Sequence, residues 1–170
     1  MKGYVQVYTG NGKGKTTASL GLAIRAAGAG LKVFIVQFMK QGMYSEIKAL
    51  KKFDNIIVEQ YGAGAFVSGK PSDEEITKCR EGYEQLCRVI KAGKHDLVVA
   101  EEANIACFYG LLSEEELLYL IDIKPDYMEL VFTGRNAPAS ILDKADLVTE
   151  MTEIKHYYQQ GVGSRVGIEK

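Results

Sequence analysis

The chain lacks tryptophan, has only three prolines and three cysteines, and carries almost no net charge. Each shortage removes a class of protein. Cys79, Cys87 and Cys107 are odd in number and show no CxxC spacing, so neither a disulfide framework nor a metal finger suits them. Reduced thiols that fill apolar space fit better. Lys and Arg number 21 against 22 Asp and Glu, a formal charge of -1, which leaves no bulk attraction to nucleic acid or acidic membranes. No apolar run approaches the length that spans a bilayer, and no charged-then-apolar leader precedes the first strand-like segment, so a cytoplasmic protein is expected. No repeat, low-complexity tract or long linker interrupts the sequence, so a single domain over residues 1–170 is the simplest organisation.

What is present is an alternation of strand and helix patterns. Tyr4–Tyr8 is a short β-rich run, and Thr16–Ala29 carries apolar residues at helical spacing before Gly28 and Gly30. Leu31–Phe38 holds the continuous apolar block Val33 to Val36, the pattern of a strand covered on both faces. A short helix near Ser45–Lys52, a strand near Ile56–Gln60 and a glycine-rich loop over Tyr61–Lys70 follow. Ser72 with Glu75 and Ser113 with Glu116 form two capping boxes, each opening a helix; the first runs to Gly93 and the second stops before Pro125. Between them Leu97–Ala100 reads as a buried strand closed by Glu101 and Glu102. Met128–Phe132 is a strand ending at Thr133-Gly134-Arg135, followed by a helix around Pro138–Lys144 and a strand around Leu147–Met151. The expected fold is α/β: a doubly wound, mainly parallel sheet flanked by helices, like that of P-loop NTPases, with ligands at the carboxyl ends of the strands.

Gly10-Asn11-Gly12-Lys13-Gly14-Lys15-Thr16-Thr17 lies between the first strand and the first helix. That context marks a phosphate-binding loop. Glycines let the backbone curl so that successive N–H groups face anionic oxygens, and the helix beginning near Lys15 adds its positive end. Lys15 is expected to pair with phosphate oxygens and the Thr16 hydroxyl to ligate Mg²⁺. The usual pattern has glycine where this chain has Thr9, and glycines stand instead at 10, 12 and 14. Downstream, the strand ending in Glu101 and Glu102 delivers carboxylates to the same edge of the sheet, as metal-holding strands of such proteins do. Glu102 is the expected metal-facing residue and Glu101 a reserve ligand.

A guanine-reading Asn-Lys-x-Asp segment is missing; Asp143-Lys144-Ala145-Asp146 lacks the asparagine and reads as a helix end. The arginines, Arg25, Arg80, Arg88, Arg135 and Arg165, are too scattered for the basic lid of a small-molecule kinase. Along nearly its whole length, however, the sequence resembles the P-loop-type ATP:cob(I)alamin (corrinoid) adenosyltransferases. The resemblance rests on the phosphate loop, on Gly21-Leu22-Ala23-Ile24-Arg25, and on Val36-Gln37-Phe38-Met39-Lys40. It continues at Thr133-Gly134-Arg135, at Ala145 to Met151, and at Lys155-His156 followed by Gly161 and Gly167-Ile168-Glu169.

The resemblance implies that a reduced Co(I) corrinoid attacks C5′ of ATP and expels triphosphate, with ATP reversed in the loop relative to ordinary P-loop NTPases and no protein nucleophile. It implies ATP, Mg²⁺ and a corrinoid as ligands, a homodimer, and a flavoprotein-type reductant. Lys40 and Glu46 flank a glycine-containing loop after the second strand, where the family contacts the nucleoside, with a solvated charge pair the other reading. Arg25, on the helix after the phosphate loop, is a candidate nucleotide contact, with a surface arginine the other reading. Arg135 closes a buried strand at the edge of the site, which favours a phosphate or corrinoid contact. Phe66, in the loop after the third strand, becomes the candidate for the residue beneath the cobalt, with ordinary aromatic packing the other reading. The family often has a tryptophan nearby, where this chain has Val67 and Ser68. Some relatives also carry a leading segment over the site; here the cover is expected either to be missing or to come from the C-terminal stretch or a second subunit. Two other readings of the phosphate loop stay open, a regulatory ATP-hydrolysing module and a phosphotransferase.

Overall fold

Apolar runs without alternation become interior strands when helices cover both of their faces, and the sheet is built on that rule. The computed structural model describes residues 2–64 and 69–169. Phe66, Val67 and Ser68 lie outside the described residues. The strands are β1 (Val5–Thr9), β2 (Val33–Phe38), β3 (Ile56–Tyr61), β4 (Leu97–Glu101), β5 (Glu129–Thr133) and β6 (Leu147–Glu150). They form one sheet in the order β3-β2-β4-β5-β1-β6, with every neighbouring pair parallel. Parallel pairing requires a crossover between successive strands, so all carboxyl ends emerge at one edge.

The helices are α1 (Lys15–Gly28), α2 (Ser45–Leu50), α3 (Asp73–Ala92), α4 (Ala103–Phe108), α5 (Glu114–Asp122) and α6 (Ala139–Lys144). Alternate residues of the central strands feed two separate cores. Val33, Ile35, Leu97, Val99 and Val131 pack against Leu20, Ala23 and Ala27 of α1 and Leu50 of α2. Phe34, Val36, Val98, Leu130 and Phe132 pack with Leu86 and Ile90 of α3, Ala106 of α4, Leu117 of α5 and Ile141 of α6. The sheet is thus doubly wound, as its strand pattern predicts. No helix among the described residues is long and apolar enough to cross a membrane.

Both capping boxes form: Ser72 and Ser113 each accept from the backbone N–H three residues on, and Glu75 and Glu116 reach back. Gly93 ends α3 in the left-handed region at φ 60°. One helix escapes the sequence reading. α4 follows Glu102 directly, spans six residues and has no side-chain cap, so nothing local announces it.

Gly82, in the middle of α3, lets that helix lie close to the sheet. A Cβ there would stand 2.9 Å from atoms of both Phe38 and Tyr61. Alanine outranks glycine in a helix by about 1 kcal/mol, but crowding a packed contact costs about 1–3 kcal/mol. Gly82→Ala is therefore expected to lower the stability read from the urea midpoint by about 1 kcal/mol. A raised midpoint would show that the two aromatic rings yield freely.

Candidate nucleotide and metal site

Thr9, in the place of the usual glycine, has a partner: its hydroxyl accepts from Ala137 N–H at 3.3 Å, tying the end of β1 to the connection after β5. The chain then turns through Gly10 at φ 93° and Gly14 at φ 123°, conformations that disfavour a side chain. Gly12 is required for another reason. Its amide donates to Met151 O at 2.6 Å, and a Cβ would stand 2.7 Å from that oxygen. A Cβ on Gly10 would come within 2.5 Å of the same carbonyl. The chain leaving β6 is a wall against which the loop is pressed, and the glycine positions follow from it. This corrects the expectation that successive loop amides all face a ligand, because the Gly12 amide is spent on Met151.

α1 opens at Gly14 with no capping side chain, so no side chain competes for its first-turn N–H groups. Lys15 folds back over the loop, its Nζ donating to Gly10 O at 2.6 Å and to Gly12 O at 2.8 Å. Burial pushes its ammonium below the usual lysine range, and Arg135 adds to the drop while Glu102 opposes it. An ammonium above a peptide ring at the positive end of a helix suits a polyphosphate.

Thr16 stands in the first turn of α1, and its Oγ1 lies 3.2 Å from Lys40 Nζ. That ammonium also lies 2.8 Å from Glu101 Oε1 and 3.9 Å from Glu102 Oε1. Glu101 is fully buried at the end of β4, and its second oxygen accepts from Gln37 Nε2. Gln37 in turn accepts from Gln60 Nε2 at 2.9 Å. Burial alone would lower the Lys40 pKa, but Glu101, Glu102 and Glu46 outweigh it and the ammonium is held above its ordinary range. Glu102 sits in the left-handed region at φ 60°, a conformation costing about 1 kcal/mol for a residue with a side chain. Its N–H donates to Thr133 Oγ1 at 3.0 Å, which fixes the bend. Burial raises the Glu102 carboxyl against the pull of Lys40, and Glu101 adds to the rise.

A hydroxyl and two carboxylates are hard oxygen donors of the kind that hold Mg²⁺, and a cation, the Lys40 ammonium, already lies among them. Among the described residues no group of three His, Cys, Asp or Glu side chains could hold a metal by itself. A divalent ion at this place would complete its shell with phosphate oxygens and water, as Mg²⁺ commonly does.

The remaining sequence candidates are spread around this centre. Asn11 and Arg135 line an open polar recess with Glu150, Thr152 and Glu153, on the β6 side of the loop. Thr17 is exposed on the first turn of α1, and Glu46, on α2, acts on Lys40 through its charge. Lys13 points away: its Nζ donates to Ile168 O at 3.0 Å and lies 3.6 Å from Glu169. Arg25 is exposed on α1, about 15 Å of helical rise beyond Lys15, and its charge acts on Tyr8. The structure does not bring it to the phosphate loop. Met39, Tyr61 and Leu111 line a small, mainly apolar hollow. Cys79 also borders it, its thiol pushed up to about 12 by burial and so unreactive.

Sequence reasoning gave no role to Gln37, Thr133 or Met151. Gln37 left a signal, a polar residue inside an otherwise apolar strand. Met151 left none.

The sequence model of the family described as ATP:corrinoid adenosyltransferase BtuR/CobO/CobP matches residues 1–169. A corrinoid adenosyltransferase of Escherichia coli (strain K12) is 32% identical over 168 residues, covering 99% of this chain and 86% of that protein. One from Sinorhizobium is 32% identical over 172 residues, covering 99% and 80%. One from Pseudomonas aeruginosa is 31% identical over 170 residues, covering 99% and 84%.

Proposed function

Because the chain belongs to the BtuR/CobO/CobP family of ATP:corrinoid adenosyltransferases, we propose that it transfers the 5′-deoxyadenosyl group of ATP to the Co(I) centre of a reduced corrinoid and releases triphosphate. The observation that carries this reading is local. Lys15 lies over the phosphate loop, and the donor set of Thr16, Glu101 and Glu102 lies beside it, all at the carboxyl edge of the sheet.

The electron pair of Co(I) forms the new cobalt–carbon bond at C5′, and the C5′–O5′ bond breaks with its pair departing on triphosphate. No proton moves, so neither a base nor a protein nucleophile is required. What the protein must supply is positioning and relief of the charge that grows on the leaving group. Lys15 and the first-turn amides of α1 take that role on the triphosphate. Asn11 and Arg135, on the β6 side of the loop, are assigned to the polyphosphate. Gly10, Gly12 and Gly14 shape the loop, and Lys13 and Thr17 flank it. Thr16 and Glu102 would hold Mg²⁺, which neutralises phosphate charge when bound. Glu46 stands near Lys40 on the side of the loops after β2 and β3, where the nucleoside is expected. Phe66 is assigned to the apolar face beneath the corrinoid. A cytoplasmic homodimer whose bound corrinoid takes its electrons from a flavoprotein-type reductant completes the reading.

The test is the identity of the phosphate product. With ATP, Mg²⁺ and chemically reduced cobalamin, the expected products are intact triphosphate and a light-sensitive adenosyl-corrinoid. Formation of ADP without any cobalt–carbon bond would point instead to a regulatory hydrolase or a phosphotransferase.

A further inference from the structure

Lys40 is not placed like a simple partner of Glu101. A structural ion pair needs one carboxylate, yet this ammonium sits where three oxygens on different elements converge: Thr16 Oγ1 of α1 at 3.2 Å, Glu101 Oε1 of β4 at 2.8 Å and Glu102 Oε1 at 3.9 Å. Glu46 adds a third negative charge to those of Glu101 and Glu102. A Mg²⁺ ion bound to the hydroxyl and a carboxylate would stand about 2.1 Å from each. Two cations so close together would repel strongly where water is scarce. An ammonium that already holds these oxygens competes with a metal for them.

We propose that Lys40 is a built-in counter-cation for the metal position: its ammonium, beside Thr16, offsets the charge of Glu101 and Glu102 until the triphosphate draws it away, so the divalent ion enters together with the nucleotide and not before it. This rests on the reading of Thr16 and Glu102 as the metal holders.

The surroundings support such an exchange. Lys40 follows Met39, which holds φ 57°, and lies on the connection after β2 and not within a strand. Its side chain is 23% exposed, whereas that of Glu101 is 0% exposed, so the mobile partner of the pair is the lysine. Glu101 keeps a second donor, Gln37, when the ammonium leaves. The incoming phosphates offer the ammonium a new anionic partner at the neighbouring loop. A buried carboxylate with no cation at hand would be costly, so filling the position by turns keeps it neutralised throughout the cycle.

The experiment is Mn²⁺ binding to nucleotide-free protein, followed by electron paramagnetic resonance. Lys40→Met is expected to bind Mn²⁺ at least about tenfold more tightly than the unaltered protein, a gain that loss of a merely structural ion pair would not produce. Adding Glu102→Gln to that variant should abolish the gain. Equal affinity in the unaltered protein and in Lys40→Met overturns the exchange while leaving the metal reading in place. Failure of Glu102→Gln to weaken Mn²⁺ binding in the ATP-bound state overturns the metal reading, and the exchange with it. Should Lys40→Met not fold, Lys40→Gln keeps a hydrogen-bond donor without the charge. Melting of the unaltered protein provides a further measurement: Mg²⁺ alone should leave Tm unchanged and Mg²⁺ with ATP should raise it. A rise with Mg²⁺ alone that matches the rise with both would overturn the proposal.

Discussion

Replacing Lys15 by alanine is expected to slow triphosphate release by about 10³-fold with ATP and reduced corrinoid saturating, while the fold persists. The Nζ atom lies 2.6 and 2.8 Å from two loop carbonyls, so it is held at the mouth of the loop before any substrate arrives. Charge grows on the leaving oxygen only as C5′ is attacked, and a donor already in place needs no reorganisation at that moment. The effect should fall mainly on the chemical step and less on KM. The stability cost should be small, about 1 kcal/mol, because the two carbonyls are only partly buried and water can replace the ammonium. Single-turnover rates beside circular dichroism separate the two effects. A variant within tenfold of the unaltered rate would mean that the ammonium does not face the developing charge.

Gly12→Ala is expected to be damaging for so small a change, costing about 2–3 kcal/mol of stability together with most of the affinity for ATP. The added methyl would meet Met151 O at 2.7 Å and main-chain carbons of Met151 and Thr152 at 2.9 Å. None of these is the end of a flexible side chain. Relief requires loop and wall to part, which also breaks the bond from Gly12 N–H to Met151 O. Gly21→Ala is the control. That glycine lies in α1 with nothing within 4 Å of the added atom, so the substitution should be neutral or stabilising by up to about 1 kcal/mol. Urea midpoints and ATP titrations of the two variants make the comparison. If they behaved alike, the wall after β6 would have no part in shaping the loop.

The contrast between those glycines marks where sequence reading succeeds. The apolar block from Val33 to Val36, the capping boxes at Ser72 and Ser113, and the phosphate loop between a strand and a helix are local patterns, and local patterns can be read. Thus the α/β architecture and the positions of Lys15, Thr16 and the paired glutamates were legible. The network joining Thr16, Gln37, Lys40 and Glu101 was not, since Lys40 meets partners 24 and 61 positions away and no spacing rule connects them. α4 was invisible because its first residue follows a left-handed Glu102 whose bend is held by Thr133, on a different strand. The displaced glycines stand out in the sequence, but their cause, the close approach of Met151, lies in a segment far along the chain.

That wall after β6 bears on any attempt to move this loop into another scaffold. Residues 9–17 transplanted alone would bring glycines that answer to a neighbour left behind, and the graft would be free to sag into other shapes. The transferable module is a pair of segments, the loop and the stretch from Thr149 to Thr152, which lie more than a hundred positions apart and are bound edge to edge through β1 and β6.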